Sequence, residues 1–226
     1  MVAMHDDDLE LLERWCRGDN AAGSELFQRH FKALYRFFAL KVDVAVDDLL
    51  QDTFLACVRQ RDRFLRQSSF RTYLFAIARR KLYDHWTQAA RRPQAVDFEE
   101  VSLASLSTSA ATRLTRRDER FRLCEALRAL PLEQQLLLEL HYWEQLDGAE
   151  LAEVFEVEAP TTRSRLFRAR QALRERLIAA PGIPPAEADA IAAGGSDDVL
   201  DAWVRSLGPS LQELRNAPGA EQTTEP

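Results

Sequence analysis

Little in this chain belongs to a β-sheet. Isoleucine occurs four times and valine eleven times, against thirty-two leucines. No stretch sustains an alternation of apolar and polar residues. β-Branched residues are the strand formers and leucine a helix former, so the expected fold class is all-α. Cysteine is as scarce. Cys16, Cys57 and Cys124 lie far apart with no CxxC pair, which excludes a disulfide framework and a thiolate metal knuckle. They read as free thiols of a reducing compartment. The four histidines have no metal-ligand spacing, and no metal or cofactor is expected. No run approaches the ~20 apolar residues of a membrane span. The opening MVAMHDDD is acidic and lacks the apolar core of a secretory signal. These absences lead to the expectation of a cytoplasmic protein.

Net positive charge is also missing, since the chain of 226 residues carries −6. That balance hides two basic islands. Residues 59–92 hold ten Lys or Arg and only two acids, Asp62 and Asp84. Residues 163–176 hold six Arg and one acid, Glu175. The segment 180–226 holds eight acids and two Arg, so the rest of the chain is neutral overall. Local potential matters more to a nucleic acid than the global sum.

Helical periodicity runs through residues 8–41, 46–60 and 70–88. In the second of these, Val46, Leu49, Leu50, Thr53, Phe54, Cys57 and Val58 form one apolar stripe. Asp47, Asp48, Gln51 and Asp52 open the other face. An Arg-rich loop follows and ends in Ser68 and Ser69, which suit a helix N-cap. Residues 89–112 are rich in Ala, Ser and Thr and read as a linker, flexible in isolation.

The stretch SSFRTYLFAIARRKLYDHW, residues 68–86, carries five aromatic rings, three Arg and one Lys. At ~100° per residue, Phe70, Tyr73, Leu74, Ile77 and Ala78 share one face. Phe75, Arg79, Leu82 and Trp86 form a second stripe roughly opposite. A surface helix needs one apolar stripe. The second therefore packs under a neighbouring helix with its cations reaching outward, or it forms a nucleic-acid surface of cations for phosphates and rings for unstacked bases.

Periodicity resumes near residue 117 with Phe121, Leu123, Leu127 and Leu130, and Pro131 suits the first turn of a helix over 131–145. Asp147 and Glu150 have capping-box spacing at the head of a short helix, 148–155. A turn plugged by Val157 follows, and Pro160 fits the start of a longer helix with Leu166, Ala169, Leu173 and Leu177 buried. A short helix, a tight turn and a longer Arg-studded helix make the helix-turn-helix pattern. Arg163, Ser164, Phe167, Arg168 and Gln171 lie off the buried stripe, and Arg suits guanine in a major groove. Ordinary solvated faces mix charge signs; this one does not.

Two blocks then resemble a known family. DDLLQDTFLACVRQRDRF with SSFRTYLFAIARRKLYDHW (residues 47–64 and 68–86), and LRALPLEQQLLLELHYWEQLDGAELAEVF with TTRSRLFRARQALRERL, resemble the second and fourth conserved regions of bacterial sigma factors of the extracytoplasmic-function (ECF) type, in the sigma-70 family. The resemblance implies a region 2 helical bundle over 1–90, a linker over 91–116, a region 4 helix-turn-helix domain over 117–178 and an acidic extension over 179–226. It implies no enzyme but a subunit that directs core RNA polymerase to promoters. Asp47, Asp48, Gln51 and Asp52 would meet the polymerase clamp helices, and the polymerase flap would be a second contact. Phe64, Ser69, Phe70, Arg71, Thr72, Tyr73, Arg79, Arg80, Lys81 and Trp86 would bind and melt the −10 element. Thr161, Thr162, Arg163, Ser164, Arg165, Phe167 and Arg168 would read the −35 element. An anti-sigma factor is a further partner of such proteins. Departures from the family pattern are Tyr73 for Trp, Arg80 for Asn, Glu156 and Pro160 for Gly, and Thr162 for Val.

Two other readings fit less well. A regulator using the helix-turn-helix alone would need no aromatic melting surface at 68–86. A nucleic-acid enzyme would need metal carboxylates in a cleft or a nucleophile constellation, and the acids at 47–52 have no His or Lys partner. In the extension, Val199, Leu200, Trp203, Val204, Leu207 and Leu211 repeat at helical spacing. The expectation is that this acidic segment folds back to mask a basic surface, or docks its stripe on another face of the chain, and so modulates promoter or polymerase binding.

Overall fold

The computed structural model describes residues 3–42, 44–60, 69–89, 97–102, 119–180, 183, 185–193, 201 and 204–205. Helices dominate them: α1 (Ala3–Cys16), α2 (Asn20–Ala39), α3 (Val46–Gln60), α4 (Phe70–Ala89), α5 (Glu119–Arg128), α6 (Leu132–Tyr142), α7 (Gly148–Phe155), α8 (Ala159–Ile178) and α9 (Pro185–Ala193). Among the described residues the one β feature is an isolated bridge between Ser102 and Pro131.

The helix expected over 8–41 is two helices. Gly18 takes φ +103°, which favours glycine. Asp19 then caps α2 by accepting from the amides of Ala21 and Ala22 at 3.0 and 3.2 Å. Arg14 holds the capping carboxylate at 2.7 Å. The chain folds back so that the Trp15 indole lies over Gly23, edge-on to Phe27 at 5.1 Å.

Helices α1 to α4 enclose one apolar core. Leu26, Leu34, Phe38, Cys57, Leu74 and Phe75 are fully buried in it. Phe27 packs on Phe54 at 4.5 Å and on Phe70 at 6.4 Å. Burial pushes the Cys57 thiol up to about 12, which leaves it an inert packing group. Val58, expected in the buried stripe of α3, is 40% exposed; it sits at the edge of that stripe in the last turn. Ser69 caps α4, its hydroxyl accepting from the amide of Thr72 at 3.1 Å.

Helices α5 to α8 make a second core around Leu123, Leu130, Leu136, Leu151, Val154, Ala169 and Leu173. Asp147 and Glu150 close a complete capping box on α7. Glu156 ends that helix at φ 58°, in the left-handed region where glycine is the easier choice. Pro160 stands in the first turn of α8. The turn between α7 and α8 thus has helix-turn-helix geometry without its usual glycine.

Six residues of the expected linker are held in place. Phe98 is buried and stacks on Tyr83 at 4.2 Å. The amides of Leu132 and Glu133 donate to the carbonyls of Val101 and Phe98 at 2.9 and 3.1 Å. Phe98 is the one aromatic residue of 89–112, and its buried ring docks the described part of the segment. Linker residues 91–96 and 103–116 lie outside the described residues.

The two cores are pressed together, with α7 along α4. In the extension α9 packs on α8, burying Ile191. Further on, Val204 is buried and accepts the Trp143 indole N–H on its carbonyl at 3.0 Å. The docking expected of the extension is thus present at Val204. Val199, Leu200, Trp203, Leu207 and Leu211 lie outside the described residues.

Candidate polymerase and nucleic-acid interfaces

The amphipathic spacing of α3 buries Val46, Leu49, Leu50, Thr53 and Cys57. It thereby turns Asp47, Asp48, Gln51 and Asp52 to solvent, all four exposed. Asp47 and Asp48 lie in the first turn, where the helix dipole favours carboxylates. Leu55 and Val58 continue this face as exposed apolar residues, 41% and 40% accessible. The face is acidic at its head and apolar further along, which suits a basic partner with an apolar patch. Among the described residues, Asp52 has a cation nearby, Lys81 at 3.8 Å.

Helix α4 is buried along two stripes, with Arg80, Asp84 and Gln88 left exposed. Phe70, Leu74, Ile77 and Ala78 face the first core. The second stripe of Phe75, Arg79, Leu82 and Trp86 is buried as well. Phe75 packs on Phe37 at 5.6 Å. The Arg79 guanidinium sits over the rings of Tyr83 and Phe155, 5.1 and 5.2 Å from their centroids. Phe155 belongs to α7, so part of this stripe faces the helix-turn-helix unit.

Carboxylates from that unit meet the cations of α4. Arg71 donates to Glu144 at 2.6 Å, and the other oxygen of Glu144 binds Arg36 of α2. Arg79 lies 3.6 Å from Glu156 and 3.9 Å from Glu133. Arg80 pairs with Glu156. The hydroxyls of Ser69 and Thr72 each lie 3.2 Å from a single oxygen of Glu150. Beneath them a fully buried Lys41 pairs with Glu139. Burial holds Lys41 below the usual ammonium range despite Glu139 opposite it. Burial likewise raises the Glu133 carboxyl, against the pull of Arg165 and Arg79. Tyr73 is partly buried and its phenol is pushed up to about 12 by that burial.

The sequence-expected −10 residues therefore share one helix but not one exposure. Arg80 is exposed; Ser69, Arg71, Tyr73 and Lys81 are half-buried; Phe70, Thr72, Arg79 and Trp86 are buried in this arrangement. Phe64 lies outside the described residues. The partner acids Glu133, Glu139, Glu144, Glu150 and Glu156 were not singled out as partners by sequence pattern. One signal could have found them: residues 129–162 hold eight acids and no Lys or Arg, a counterpart to the basic island at 59–92.

On α8 the sequence-expected face is largely open. Thr161, Arg163, Ser164, Phe167 and Arg168 are exposed, and Phe167 is 55% accessible. An exposed ring between exposed arginines offers an apolar contact for a thymine methyl beside donors for guanine. Thr162 is instead buried, its hydroxyl lying 3.4 Å from the Glu158 carbonyl. Arg165 turns away from this face and bridges Glu99 and Glu133, each at 2.7 Å. Gln171, half-buried, accepts from Arg174 at 2.9 Å. Among the described residues no cluster of His, Cys, Asp or Glu could hold a metal ion, and no helix is long and apolar enough to cross a membrane.

A helical chain with a basic aromatic helix in one unit and an open Arg face on a helix-turn-helix in the next has the organisation of a DNA-binding transcription protein. Residues 25–92 match the family model of Sigma-70 region 2, and residues 120–173 match that of Sigma-70, region 4, together over half of the chain. The chain belongs to the sigma-70 family, as a factor of the ECF type. It is similar to the ECF RNA polymerase sigma-E factor of Escherichia coli K12, 27% identical over 179 residues, which cover 75% of this chain and 94% of that one. It is 28% identical over 182 residues to the RNA polymerase sigma-H factor of Pseudomonas aeruginosa PAO1, covering 76% and 94%. Among solved structures, CnrH in complex with the cytosolic domain of CnrY aligns with a TM-score of 0.56 at 25% identity, over 76% of this chain and 98% of that one. The sigma factor RpoE of Bartonella quintana, solved with the anti-sigma factor NepR, aligns with a TM-score of 0.52 at 23% identity, over 68% and 95%, and has the same fold.

Proposed function

We propose that this chain is the promoter-selecting subunit of a bacterial RNA polymerase, using α3 to hold the core enzyme, α4 to open the −10 element and α8 to read the −35 element. The observation that carries this reading is the succession of region 2 and region 4 in one chain, with the α8 face of Arg163, Ser164, Phe167 and Arg168 left open. The chemistry divides between the two units. Arg163 and Arg168 offer bidentate donors to guanine in a duplex, each worth about 1–3 kcal/mol of discrimination. The rings of Tyr73 and Trp86 offer stacking to bases only after the strands part, about 1–3 kcal/mol each. Selection of duplex and stabilisation of melted strand are thus separate steps. That CnrH was solved with CnrY, and RpoE with NepR, supports an anti-sigma factor as a further partner.

Run-off transcription with core polymerase on a library of genomic fragments tests the proposal and returns the promoter sequence. Discrete transcripts that need this chain are expected; none from any fragment would overturn it. Asp48→Arg with Asp52→Arg is expected to abolish co-purification with core enzyme while leaving helicity intact, because both carboxylates are exposed and bury nothing. Co-purification at wild-type strength would remove α3 from the polymerase contact.

A further inference from the structure

Of the four Lys and Arg residues of α4, Arg71, Arg79 and Arg80 have anionic partners from one surface, while Lys81 faces Asp52 of α3. Glu144 uses one carboxylate oxygen for Arg36 and the other for Arg71, as a phosphate uses two of its oxygens between two guanidinium groups. Glu156 meets Arg79 and Arg80 together. Glu150 lies within hydrogen-bond reach of the hydroxyls of Ser69 and Thr72. All three acids belong to the helix-turn-helix unit. A carboxylate and a phosphate ask the same things of Arg and Ser, so the two cannot occupy this face at once. The Phe155 ring beneath Arg79 lies where a flat apolar group would stack on the guanidinium.

We propose that the acidic flank of region 4, at Glu144, Glu150 and Glu156, is a nucleic-acid mimic whose partner is the DNA-binding face of this chain's own region 2. The free chain is then latched shut at its −10 face while its −35 face on α8 stays open. The latch is built to give way. Arg80 and Glu156 are each about half exposed, 56% and 51% accessible, and salt weakens such pairs. Arg79 Nε and Trp86 Nε1 are buried with no hydrogen-bond partner among the described residues. Leaving such groups unmet works against the closed form, and an opened chain could satisfy them.

The inference rests on the reading of α4 as the −10 interface, and the test separates the two. In the full-length chain, Glu144→Gln, Glu150→Gln and Glu156→Gln are combined, removing the charges and keeping the shapes. Two quantities are read in low salt: the radius of gyration by small-angle scattering, and binding of a labelled single-stranded oligonucleotide of random sequence by fluorescence anisotropy. The triple variant should be more extended than the wild type and bind the strand at least about ten-fold tighter, with the gap narrowing as salt rises. Glu156→Gln alone, at a half-exposed site, should move strand binding the same way by about two-fold with the thermal midpoint unchanged. An unchanged radius with unchanged binding overturns the latch. A chain that opens but binds strand no better overturns the mimicry and removes α4 from the −10 interface.

Discussion

At the scale of single residues, two positions carry more of the structure than their size implies. Gly23 lets α1 lie close on α2. A Cβ there would stand 2.6 Å from the Trp15 Cδ1 and Nε1 atoms. That indole is buried and wedged on Phe27, so it has little room to yield. Gly23→Ala should destabilise the chain by about 1–3 kcal/mol through overpacking, despite alanine's better helix propensity. A urea midpoint at or above the wild-type value would show that the α1 contact is loose. Lys41 is the other. Its ammonium is fully buried between the Phe37 carbonyl at 2.7 Å and Glu139, and Gln135 donates to the far oxygen of Glu139 at 2.7 Å. Lys41→Met leaves Glu139 buried without its countercharge and should cost about 3–5 kcal/mol. Lys41→Met with Glu139→Leu should recover most of that loss, because it removes both charges. A loss of less than about 1 kcal/mol for the single variant would mean that the two units part and water reaches Glu139.

At the scale of elements, caps and stripes account for what was legible in the sequence. The helices expected over 46–60 and 70–88 appear as Val46–Gln60 and Phe70–Ala89. Ser69, Asp147 with Glu150, and Pro160 stand at the helix heads where local chemistry placed them. Such signals act within four residues and need no knowledge of the rest of the chain. The docking of α4 was legible only as a question. Its second stripe announced a partner, but periodicity holds no information about a helix some 70 residues further on. The break at Gly18 was lost because apolar spacing continues across it. His141, near the end of α6, gives an element-scale prediction. Its Nδ1 lies 3.2 Å from the Leu146 carbonyl and its Nε2 3.0 Å from an Arg170 nitrogen, an arrangement that suits the neutral ring with its proton on Nδ1. Burial holds this histidine below the usual 6.5; Arg170 and Arg205 act in the same sense, and Asp201 and the Leu146 carbonyl oppose them. The folded value is depressed, so the unfolded chain binds more protons at mildly acid pH. The stabilisation is complete above the unfolded value of 6.5 and is lost as pH falls through the folded one. His85, depressed by burial too, adds to the same window. His141→Gln should therefore flatten part of the fall in stability between pH 7 and 5, measured as urea midpoints against wild type. Parallel curves would show that His141 does not feel the fold.

At the scale of the whole molecule, three regions of charge are arranged so that acid covers base in one place and leaves it bare in another. The acidic extension was expected to dock, and a basic surface was one candidate for what it would mask. The described part of it reaches one arginine of α8. Asp201 lies 3.4 Å from Arg170 and accepts from the Tyr142 hydroxyl, Arg205 lies over the Tyr142 ring at 5.8 Å, and Val204 is buried beside Trp143. Arg170 faces α6, whereas Arg163 and Arg168 are open. The extension is thus placed to brace region 4 from behind, and stability is the first effect expected of it. Removal of residues 181–226 should strip cover from Tyr142, Trp143 and α8. It should lower the thermal midpoint and shift the fluorescence of Trp143 to the red as its indole meets water, read in a Trp203→Phe background. Duplex binding through Arg163 and Arg168 should change by less than about three-fold at moderate salt, where the charge of −6 carried by residues 180–226 is felt only within ~10 Å. Truncation that leaves the midpoint unchanged while raising duplex affinity ten-fold or more in low salt would reverse the order, making the extension a screen over the −35 face and its docking incidental. Loss of duplex binding with the fold intact would mean that the extension touches DNA itself, through Arg205 or Arg215.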